Sequence, residues 1–467
     1  MEKFNEDFEI DGYWWFPEKP DNKVAGTLYY SSDAMRLELM GTLTDVKQHL
    51  KQFEYPIIHG ISTKGQQITL HKCYASSFSM GYPSFATSKY AILQLFIGLH
   101  FQKEDNIKFN KVYAYLTHFD EWMGVSGFFT EPNSIKENDF HISYSPPKEI
   151  KFEIDTKFAI SIWFGFNMHT ENMGVKEQSI KQNISISIDA KEELQFAQFM
   201  NILADIRNFL GLACLNPIYP LEVKGLTKSN EQKFDTYTVQ SPISIYFQQY
   251  KMPKQIKELP SMHMLFTYRD ISDDIGHYFR RWFENKSILE PIYNLYSEIL
   301  HSHGMMLDQQ FLLLMHAVEA YHRRTSNETE VDTESHEQRI SAIISDVPDK
   351  YKEWLKIKLQ FSNELSLRKR LDSLLNQFPF VLEDFDKESK PFTSKIVDIR
   401  NYLAHYSNNA RPILEDGHKI FEICQRLKLL LESALLFQLG FDNSKIELLI
   451  NKSKFRKGLK DNVSIKD

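Results

Sequence analysis

The hydrophobic pattern of the chain changes its period near residue 270, and this change sets the class of fold. Upstream of it, short runs rich in β-branched and aromatic residues lie between turn residues, as antiparallel strands require. Ile184, Ile186 and Ile188 alternate with serines, the period of a strand that buries one face. Downstream, apolar residues recur every three or four positions, which is typical of helices that pack by one face. We therefore predict the α+β class, with an N-terminal β-rich domain, sandwich-like or a bent antiparallel sheet, followed by a C-terminal all-α helical bundle.

The same periods predict where the elements and the domains lie. Strands are predicted at 24–30, 35–39, 67–74, 90–101, 112–116, 158–166, 184–188, 221–223 and 236–247. Helices are predicted at 189–212, where Asp189 and Glu192 form a capping pair, and at 275–283, 288–300, 308–324, 336–345, 350–361, 366–378, 393–406 and 416–439, with a polar, acidic loop at 325–335. The predicted domains are a β-rich domain at 1–260, a helical bundle at 270–445, and a basic tail without helical periodicity at 446–467.

Length and composition limit the classes of function. A chain of 467 residues exceeds one ordinary core, and its formal net charge of −7 means that any nucleic-acid site must be a local patch. Cys73, Cys214 and Cys424 lie far apart, which predicts neither a disulfide framework nor a zinc knuckle. His301 and His303 lack a third ligand at a clear spacing, so we expect no metal and no cofactor. The start is acidic and polar, and no apolar run approaches the roughly 18 residues of a membrane span, which predicts a cytoplasmic protein without membrane contact.

One stretch near the C-terminus points to a specific chemistry. Within the predicted helix at 393–406, Arg400 is followed by Asn401 and then, at the fifth position after the arginine, by His405. Arginine is always cationic, and its planar fork suits a phosphodiester. Histidine takes or gives a proton near neutral pH. Together the two side chains supply what metal-free RNA cleavage needs: a group that deprotonates a 2′-hydroxyl, a donor for the leaving oxygen, and positive charge beside the phosphorus.

Helix geometry leaves two interpretations of this stretch open. Asn401 and His405 lie four residues apart and share a face, whereas Arg400 and His405 are separated by about 140° around the axis. One helix therefore does not aim both side chains at one phosphate unless it ends or kinks there, or a second copy of the chain supplies partners. The alternative is a buried structural helix with one capped arginine and one hydrogen-bonded histidine.

Three segments resemble parts of one known protein family. RNYLAH, at 400–405, resembles the R-x4-6-H signature of HEPN domains, all-helical modules in which a polar residue commonly follows the arginine. FLLLMHAVEAYHRR, at 311–324, resembles the first core helix of the Apea-like HEPN group. GYWWFPEKPDNKVAGTLYYS, at 12–31, resembles the start of the β-rich N-terminal domain of the ApeA anti-phage proteins. The chain is therefore similar to ApeA-type HEPN proteins at both ends.

This resemblance implies a fold, an activity and a role. The bundle would be a HEPN domain, and HEPN domains often act as metal-independent endoribonucleases that leave a 2′,3′-cyclic phosphate and work as homodimers. Arg400 would bind the scissile phosphate, Asn401 would orient the histidine or the phosphate, and His405 would be the general acid or base. The resemblance also implies abortive infection as the defence against phage, with cellular RNA, tRNA among the candidates, as the substrate. A phage-derived component would be the trigger, and the β-rich domain is the candidate sensor.

Further residues are candidates because of their type and position. Glu319 is a candidate catalytic carboxylate that could hold the guanidinium of Arg400 or tune His405, and the alternative is a glutamate that faces solvent. Five cations and one tyrosine are candidates for RNA contact: Arg323, Arg324, Arg368, Lys369, Arg370 and Tyr406. For the cations the alternatives are a favourable interaction with a helix C-terminus or a solvated surface, and for the tyrosine it is core packing.

A non-catalytic protein is the rival hypothesis. In it the HEPN-like bundle dimerises and binds RNA or a partner, while the β-rich half recognises protein or carbohydrate. Kinase, ATPase, dehydrogenase and α/β-hydrolase functions lack support, because the sequence contains no Walker loop, dinucleotide-binding glycine motif or nucleophile elbow.

Overall fold

The chain divides into two compact units. The computed structural model describes residues 3–44, 53–79, 85–130, 142–171, 176–233, 238–249, 251–302, 304–383, 385, 391–405 and 416–456, and for 171, 177, 233, 405 and 454–456 it describes the backbone alone. The first unit is Met1–Arg280 and the second is Arg281–Asp467. Strands dominate the first and helices the second, which confirms the predicted α+β class and the order of its two parts. The predicted gap between domains, at 260–270, lies shortly before this division.

Strands with turn residues between them build most of the first unit, as the alternating pattern predicts. The strands are β1 (Phe8–Trp15), β2 (Val24–Tyr30), β3 (Met35–Leu39), β4 (Glu54–Ser62), β5 (Gln67–Ser79), β6 (Thr87–Ile97), β7 (Lys108–Leu116), β8 (Phe128–Thr130), β9 (Ile142–Tyr144), β10 (Ile150–Glu153), β11 (Phe158–Glu171), β12 (Glu177–Gln195), β13 (Pro220–Leu226), β14 (Glu231–Lys233), β15 (Thr238–Gln240) and β16 (Ile243–Phe247).

Twelve of these strands form one antiparallel sheet in the order β10-β11-β12-β7-β13-β16-β6-β3-β2-β1-β4-β5. Because β5 also pairs with β6, the strands from β6 to β5 in this order close into a ring of six. Trp14 of β1 is fully buried, and its indole Nε1 donates to the carbonyl of Gly26 at 3.0 Å. A Cβ on Gly60 would lie 2.3 Å from the ring of Trp14, so this close approach requires glycine. The bent antiparallel sheet that the sequence predicts is therefore confirmed.

Strand β12 continues through a stretch that the sequence predicts as helix. Asp189 pairs with Lys111 of β7 in the sheet register, and its carboxylate also accepts from the ammonium of Lys111 at 2.9 Å. The register shifts once before the strand ends at Gln195, and the helix α2 (Phe196–Cys214) begins only there, with a capping box formed by Gln195 and Gln198. The predicted helix start at Asp189 is wrong, because pairing with β7 holds this segment extended.

Helices complete the first unit and make up the second. They are α1 (Phe119–Met123), α3 (Tyr268–Ile271), α4 (Ile275–Glu284), α5 (Lys286–His301), α6 (Leu307–Thr325), α7 (Thr333–Ser345), α8 (Asp349–Leu359), α9 (Leu367–Gln377), α10 (Phe392–His405), α11 (Gly417–Gln438) and α12 (Asn443–Arg456). In the second unit α6 packs against α5, α9 and α11, and α9 also packs against α10. A buried hydrogen bond of 2.9 Å from the hydroxyl of Tyr296 to the carboxylate of Glu432 ties α5 to α11. These helices overlap the eight that the sequence predicts downstream of residue 270.

Two segments of the second unit differ from the sequence-based expectation. The predicted loop at 325–335 is shorter, because α6 continues to Thr325 and the side chain of Asp332 caps α7 by accepting from the backbone N–H of Ser335 at 2.8 Å. The predicted tail begins as the helix α12, which packs on α11 and buries Ile446, Leu449 and Ile450. The prediction of a tail without helical periodicity is therefore wrong for its first half, since these three residues have helical spacing.

Candidate active site

The motif helix α10 is held in the bundle by one apolar face. Phe392, Ile396 and Ile399 are buried and lie four and three residues apart, and α10 packs against α9. Arg400 follows Ile399 directly and is half-buried. The helix runs through His405 without a break, so Arg400 and His405 remain about 140° apart around its axis.

Arg400 and Asn401 are in direct contact. An Nη1 hydrogen of Arg400 is donated to the side-chain oxygen of Asn401 at 3.2 Å. The bond takes one of the five N–H donors of the guanidinium and fixes the fork beside the amide. Asn401 therefore contacts the arginine, and its predicted role towards the histidine or the phosphate stays a prediction. The side chain of His405 and the whole of Tyr406 lie outside the described residues, so their roles are also predictions.

Glu319 lies on α6 and pairs with a cation of its own helix. Its carboxylate accepts from Nε of Arg323 at 3.1 Å, one helical turn further on. The carboxylate is about one-fifth exposed, so it faces neither open solvent nor a dry core. The catalytic role predicted for Glu319, which requires a contact with Arg400 or His405, stays a prediction, and in this structure the carboxylate holds Arg323.

Three of the predicted RNA-contacting cations form ion pairs with glutamates of the bundle. Arg323 and Arg370 both pair with the carboxylate of Glu364, and Nη2 of Arg370 lies 3.2 Å from it. The ammonium of Lys369 pairs with Glu330. Arg370 is 5% exposed, so its fork is enclosed by the protein. These ion pairs give Arg323, Lys369 and Arg370 a structural role. Contact of these three cations with RNA stays a prediction, and the arrangement does not favour it.

The two other cations among the predicted RNA contacts are exposed. Arg324 donates to the backbone carbonyl of Ser287 at 3.2 Å, which joins the end of α6 to the start of α5. Arg368, in the first turn of α9, is exposed, and no ion pair or hydrogen bond to it occurs among the described residues. Of the basic run at 368–370, Arg368 is thus the side chain that has no ion-pair partner among the described residues.

His322 is a buried member of the network of ion pairs that Arg323, Arg370 and Glu364 form. Its side chain is 2% exposed, and Nη1 of Arg370 donates to its Nδ1 at 3.3 Å. Since a guanidinium only donates, Nδ1 is the acceptor and the proton of a neutral ring is on Nε2, which lies 3.4 Å from the carboxylate of Glu328. Burial and the charge of Arg370 lower the pKa of His322 below its usual 6.5, and the charge of Glu328 opposes that shift.

Two short segments, one before α7 and one after α8, are hydrogen-bonded to each other, and we call this pair the stem. The stem comprises residues 329–331 and 363–364, which meet in an isolated antiparallel bridge between Thr329 and Glu364. The side chain of Asn363 binds Val331 twice, by accepting from its N–H at 3.1 Å and donating to its carbonyl at 3.0 Å. The backbone N–H of Glu330 donates to the carbonyl of Asn363 at 3.0 Å. The stem therefore joins the ion-paired ends of α6 and α9 to the base of α7 and α8.

Two family models match the chain, and each covers most of one unit. The model described as ApeA N-terminal domain 1 matches residues 9–282, more than half of the chain. The model described as Apea-like HEPN matches residues 312–445. The chain belongs to the ApeA-type HEPN family. No curated protein and no solved structure matches it.

Membership of the ApeA-type HEPN family connects the described geometry with a class of activity. The Apea-like HEPN match contains Glu319, Arg400, Asn401 and His405, so the predicted catalytic residues all lie in the matched domain. HEPN domains are generally associated with RNA cleavage, commonly act on RNA and dimerise, and the ApeA type is associated with anti-phage defence. Among the described residues, no helix is long and apolar enough to cross a bilayer.

Sequence reasoning missed the acidic half of the network around His322. Glu328, Glu330 and Glu364 were not singled out, and the first two were assigned to a polar loop. A signal was available, since the acidic stretch at 325–335 and the basic run at 368–370 have opposite charge in one domain. Which glutamate meets which cation depends on how α6 and α9 pack, and spacing does not define that packing.

The lowered pKa of His322 predicts a pH-dependent stability. The folded chain binds fewer protons at this ring than the unfolded chain, so the free energy of unfolding should fall as the pH drops through 6.5. The substitution His322→Gln should flatten this part of the pH dependence, whatever its effect at pH 7.5. The measurement is urea unfolding of the full chain between pH 5.5 and 7.5, with His316→Gln, an exposed histidine on the same helix, as the control. An equal slope in the wild type and His322→Gln would contradict the assignment.

Proposed function

We propose that the chain is a metal-independent endoribonuclease that cleaves cellular RNA in anti-phage defence. The observation that carries the proposal is the contact between Arg400 and Asn401 on a helix of the matched HEPN domain, with His405 one turn further on. This contact supports a guanidinium held ready for an anion, beside the residue type that best moves protons at neutral pH. The three buried, unpaired cysteines fit a cytoplasmic enzyme, and tRNA is the first substrate to test.

The proposed chemistry is an internal transesterification. His405 takes the proton of a ribose 2′-hydroxyl, the 2′-oxygen bonds to the adjacent phosphorus, and the bond from phosphorus to the 5′-oxygen breaks. The leaving 5′-oxygen takes a proton from a second acid, and the products are a 2′,3′-cyclic phosphate and a 5′-hydroxyl. Arg400 stabilises the charge that develops on the phosphoryl oxygens, and Asn401 keeps the guanidinium in place for it.

We propose a homodimer as the catalytic form. The angle of about 140° between Arg400 and His405 argues against one α10 helix directing both at the same phosphate. Two α10 helices that face each other place the arginine of one protomer beside the histidine of its partner, and they also provide the second acid. The β-rich unit then serves as the sensor that keeps the dimer silent until a phage component binds, a role that rests on domain order.

The product ends and the metal requirement test this proposal. The purified full chain is incubated with total tRNA, with and without lysate of infected cells, and the fragment ends are identified by mass spectrometry. We expect 2′,3′-cyclic phosphate and 5′-hydroxyl ends, formed at the same rate in EDTA, because both proton transfers use side chains. Fragments with 5′-phosphate ends, or a rate that falls in EDTA, would contradict the mechanism. Absence of cleavage under both conditions, with protection retained by Arg400→Ala and His405→Ala, would favour the non-catalytic binding module.

A further inference from the structure

Helices α7 and α8 expose an apolar surface that the proposed catalytic chemistry does not use. Neither helix contains a buried residue. The exposed fractions of Tyr351, Trp354, Ile357 and Phe361 are 49%, 59%, 68% and 64%. With spacings of three, three and four residues, these side chains follow one side of α8 and continue just past its end. We call them, with Lys350 and Lys358, the α8 aromatic face.

The other sides of α8 differ from this face. The half-buried residues Leu355 and Leu359 lie on the side where α8 packs on α7, the neighbour with which it makes its main contacts. The α8 aromatic face covers roughly 120° of the helix from Ile357 to Tyr351, and Leu355 and Leu359 lie beyond its Tyr351 edge. Large exposed apolar patches on soluble proteins mark interaction sites, so we expect this face to bind a ligand or a partner.

The lysines of α8 that form ion pairs lie on a different side of the helix from the aromatic face. Lys352 pairs with Asp349 at 2.8 Å and Lys356 pairs with Glu353 at 2.7 Å, and the helical positions of both lysines lie outside the aromatic face. Lys350, within the face, has its ammonium 4.7 Å from the ring centre of Tyr351.

The lysines of the face itself are not neutralised. No ion pair to Lys350 or to Lys358 occurs among the described residues, and the face contains no carboxylate. It therefore combines three aromatic rings with uncompensated positive charge in a chain whose formal net charge is −7.

We propose that the α8 aromatic face is a stacking platform for a single-stranded stretch of the RNA substrate, an inference that rests on the proposed function. Bases stack on exposed aromatic rings while lysines pair with the phosphates between them. From Tyr351 to Ile357 the face extends about 9 Å along the helix axis, which accommodates two or three bases.

Charge favours RNA over a second copy of the chain as the occupant. A symmetric contact between two such faces would bring the lysines of one copy beside those of the other, which is unfavourable. Arg323, Lys369 and Arg370, by contrast, are paired with Glu364 and Glu330, whereas Lys350 and Lys358 on α8 have no ion-pair partner among the described residues.

The test is binding of a labelled 15-nucleotide unstructured RNA and of a duplex of equal length, measured by fluorescence anisotropy on the full chain in the His405→Ala background. Trp354→Ala should weaken binding of the single strand on the order of tenfold, and Trp354→Phe should retain most of the affinity. Lys350→Glu with Lys358→Glu should weaken it similarly and lower the salt dependence of the affinity. The matched control is Lys352→Glu with Lys356→Glu, which makes the same charge change on the other side of α8 and should change the affinity less than threefold.

Each other outcome overturns the platform or separates it from the proposed function. Equal single-strand affinity in all variants, preference for the duplex, or absence of RNA binding would overturn it. A sedimentation experiment in which Trp354→Ala dissociates an oligomer, with RNA affinity unchanged, would make the face a contact between copies or with another protein. RNA binding that depends on Trp354 in a chain that cleaves no RNA would sustain the platform and reject the nuclease. Cleavage of RNA by the wild type, with RNA binding unaltered in the variants, would sustain the nuclease and reject the platform.

Discussion

Replacing His405 with alanine is expected to reduce RNA cleavage by about 10²- to 10⁴-fold, because the 2′-hydroxyl then loses the group that takes its proton. Arg400→Ala should reduce the rate by about 10²- to 10³-fold, since the charge on the phosphoryl oxygens loses its main stabilising donor. The measurement is the single-turnover cleavage rate on the tRNA that wild type cuts fastest. The same variants should lose toxicity and protection in infected cells.

Matched substitutions separate catalysis from general damage. His418→Ala changes an exposed histidine in the first turn of α11, and Arg339→Ala changes an exposed arginine of α7. Both should retain the wild-type rate within about twofold, since surface substitutions away from special features change stability little. Sedimentation should show the same oligomer for all four variants. Full cleavage by His405→Ala would show that the imidazole is not needed for the reaction. If a variant no longer forms the oligomer, its loss of cleavage would be due to failed assembly.

The periods of the sequence predicted most of the elements because each period reflects a local choice of backbone. The strand β3 at Met35–Leu39 has the predicted bounds, and the helix α11 at Gly417–Gln438 differs from the prediction by one residue at each end. The error at Asp189 has a nonlocal cause. The stretch 189–195 has acidic and amphipathic residues that suit a helix start, but partners on β7, more than 70 residues earlier in the chain, hold it in the sheet.

The candidate site divides in the same way. Residue type and spacing identified Arg400, Asn401 and His405, because the chemistry requires those side chains and one helix carries them. Neither type nor spacing indicated that Asn401 would contact the arginine, since the choice between two neighbours on a helix depends on rotamers. Nor did the sequence distinguish the buried Arg370 from the exposed Arg368, two residues away on the same helix. The difference arises from the side of α9 that packs against α6.

Replacing Arg370 with methionine is expected to destabilise the helical unit by about 2–4 kcal/mol. The buried guanidinium donates to the backbone carbonyl of Leu365 at 3.0 Å, to the carboxylate of Glu364 and to Nδ1 of His322. Methionine fills a similar volume but leaves the carbonyl of Leu365 and Nδ1 of His322 without this donor, and an unpaired polar group in a protected site is costly, whereas Glu364 keeps its pair with Arg323. Because the stem depends on Glu364, the backbone bonds between its two segments should open more often as well.

Amide hydrogen exchange on the full chain measures both effects locally, which matters because two units do not have to unfold together. Exchange at residues 329–331 and in α9 should accelerate in Arg370→Met, while exchange in the β-rich unit stays unchanged. Arg368→Met is the control, as the same substitution at an exposed position, and it should change the free energy of unfolding by less than about 0.5 kcal/mol.

The pair of variants also decides between the two explanations of the basic run. If the cations track a phosphate backbone, Arg370→Met and Arg368→Met should weaken RNA binding alike and leave exchange at the stem unaltered. If Arg370 instead joins α6, α9 and the stem, Arg370→Met should mainly accelerate amide exchange there. RNA binding should then weaken only to the extent that α8 loses its fixed position. Wild-type exchange combined with weakened RNA binding in Arg370→Met would show that the guanidinium leaves Glu364 and His322 for the nucleic acid. The buried network would then be a resting state of the site.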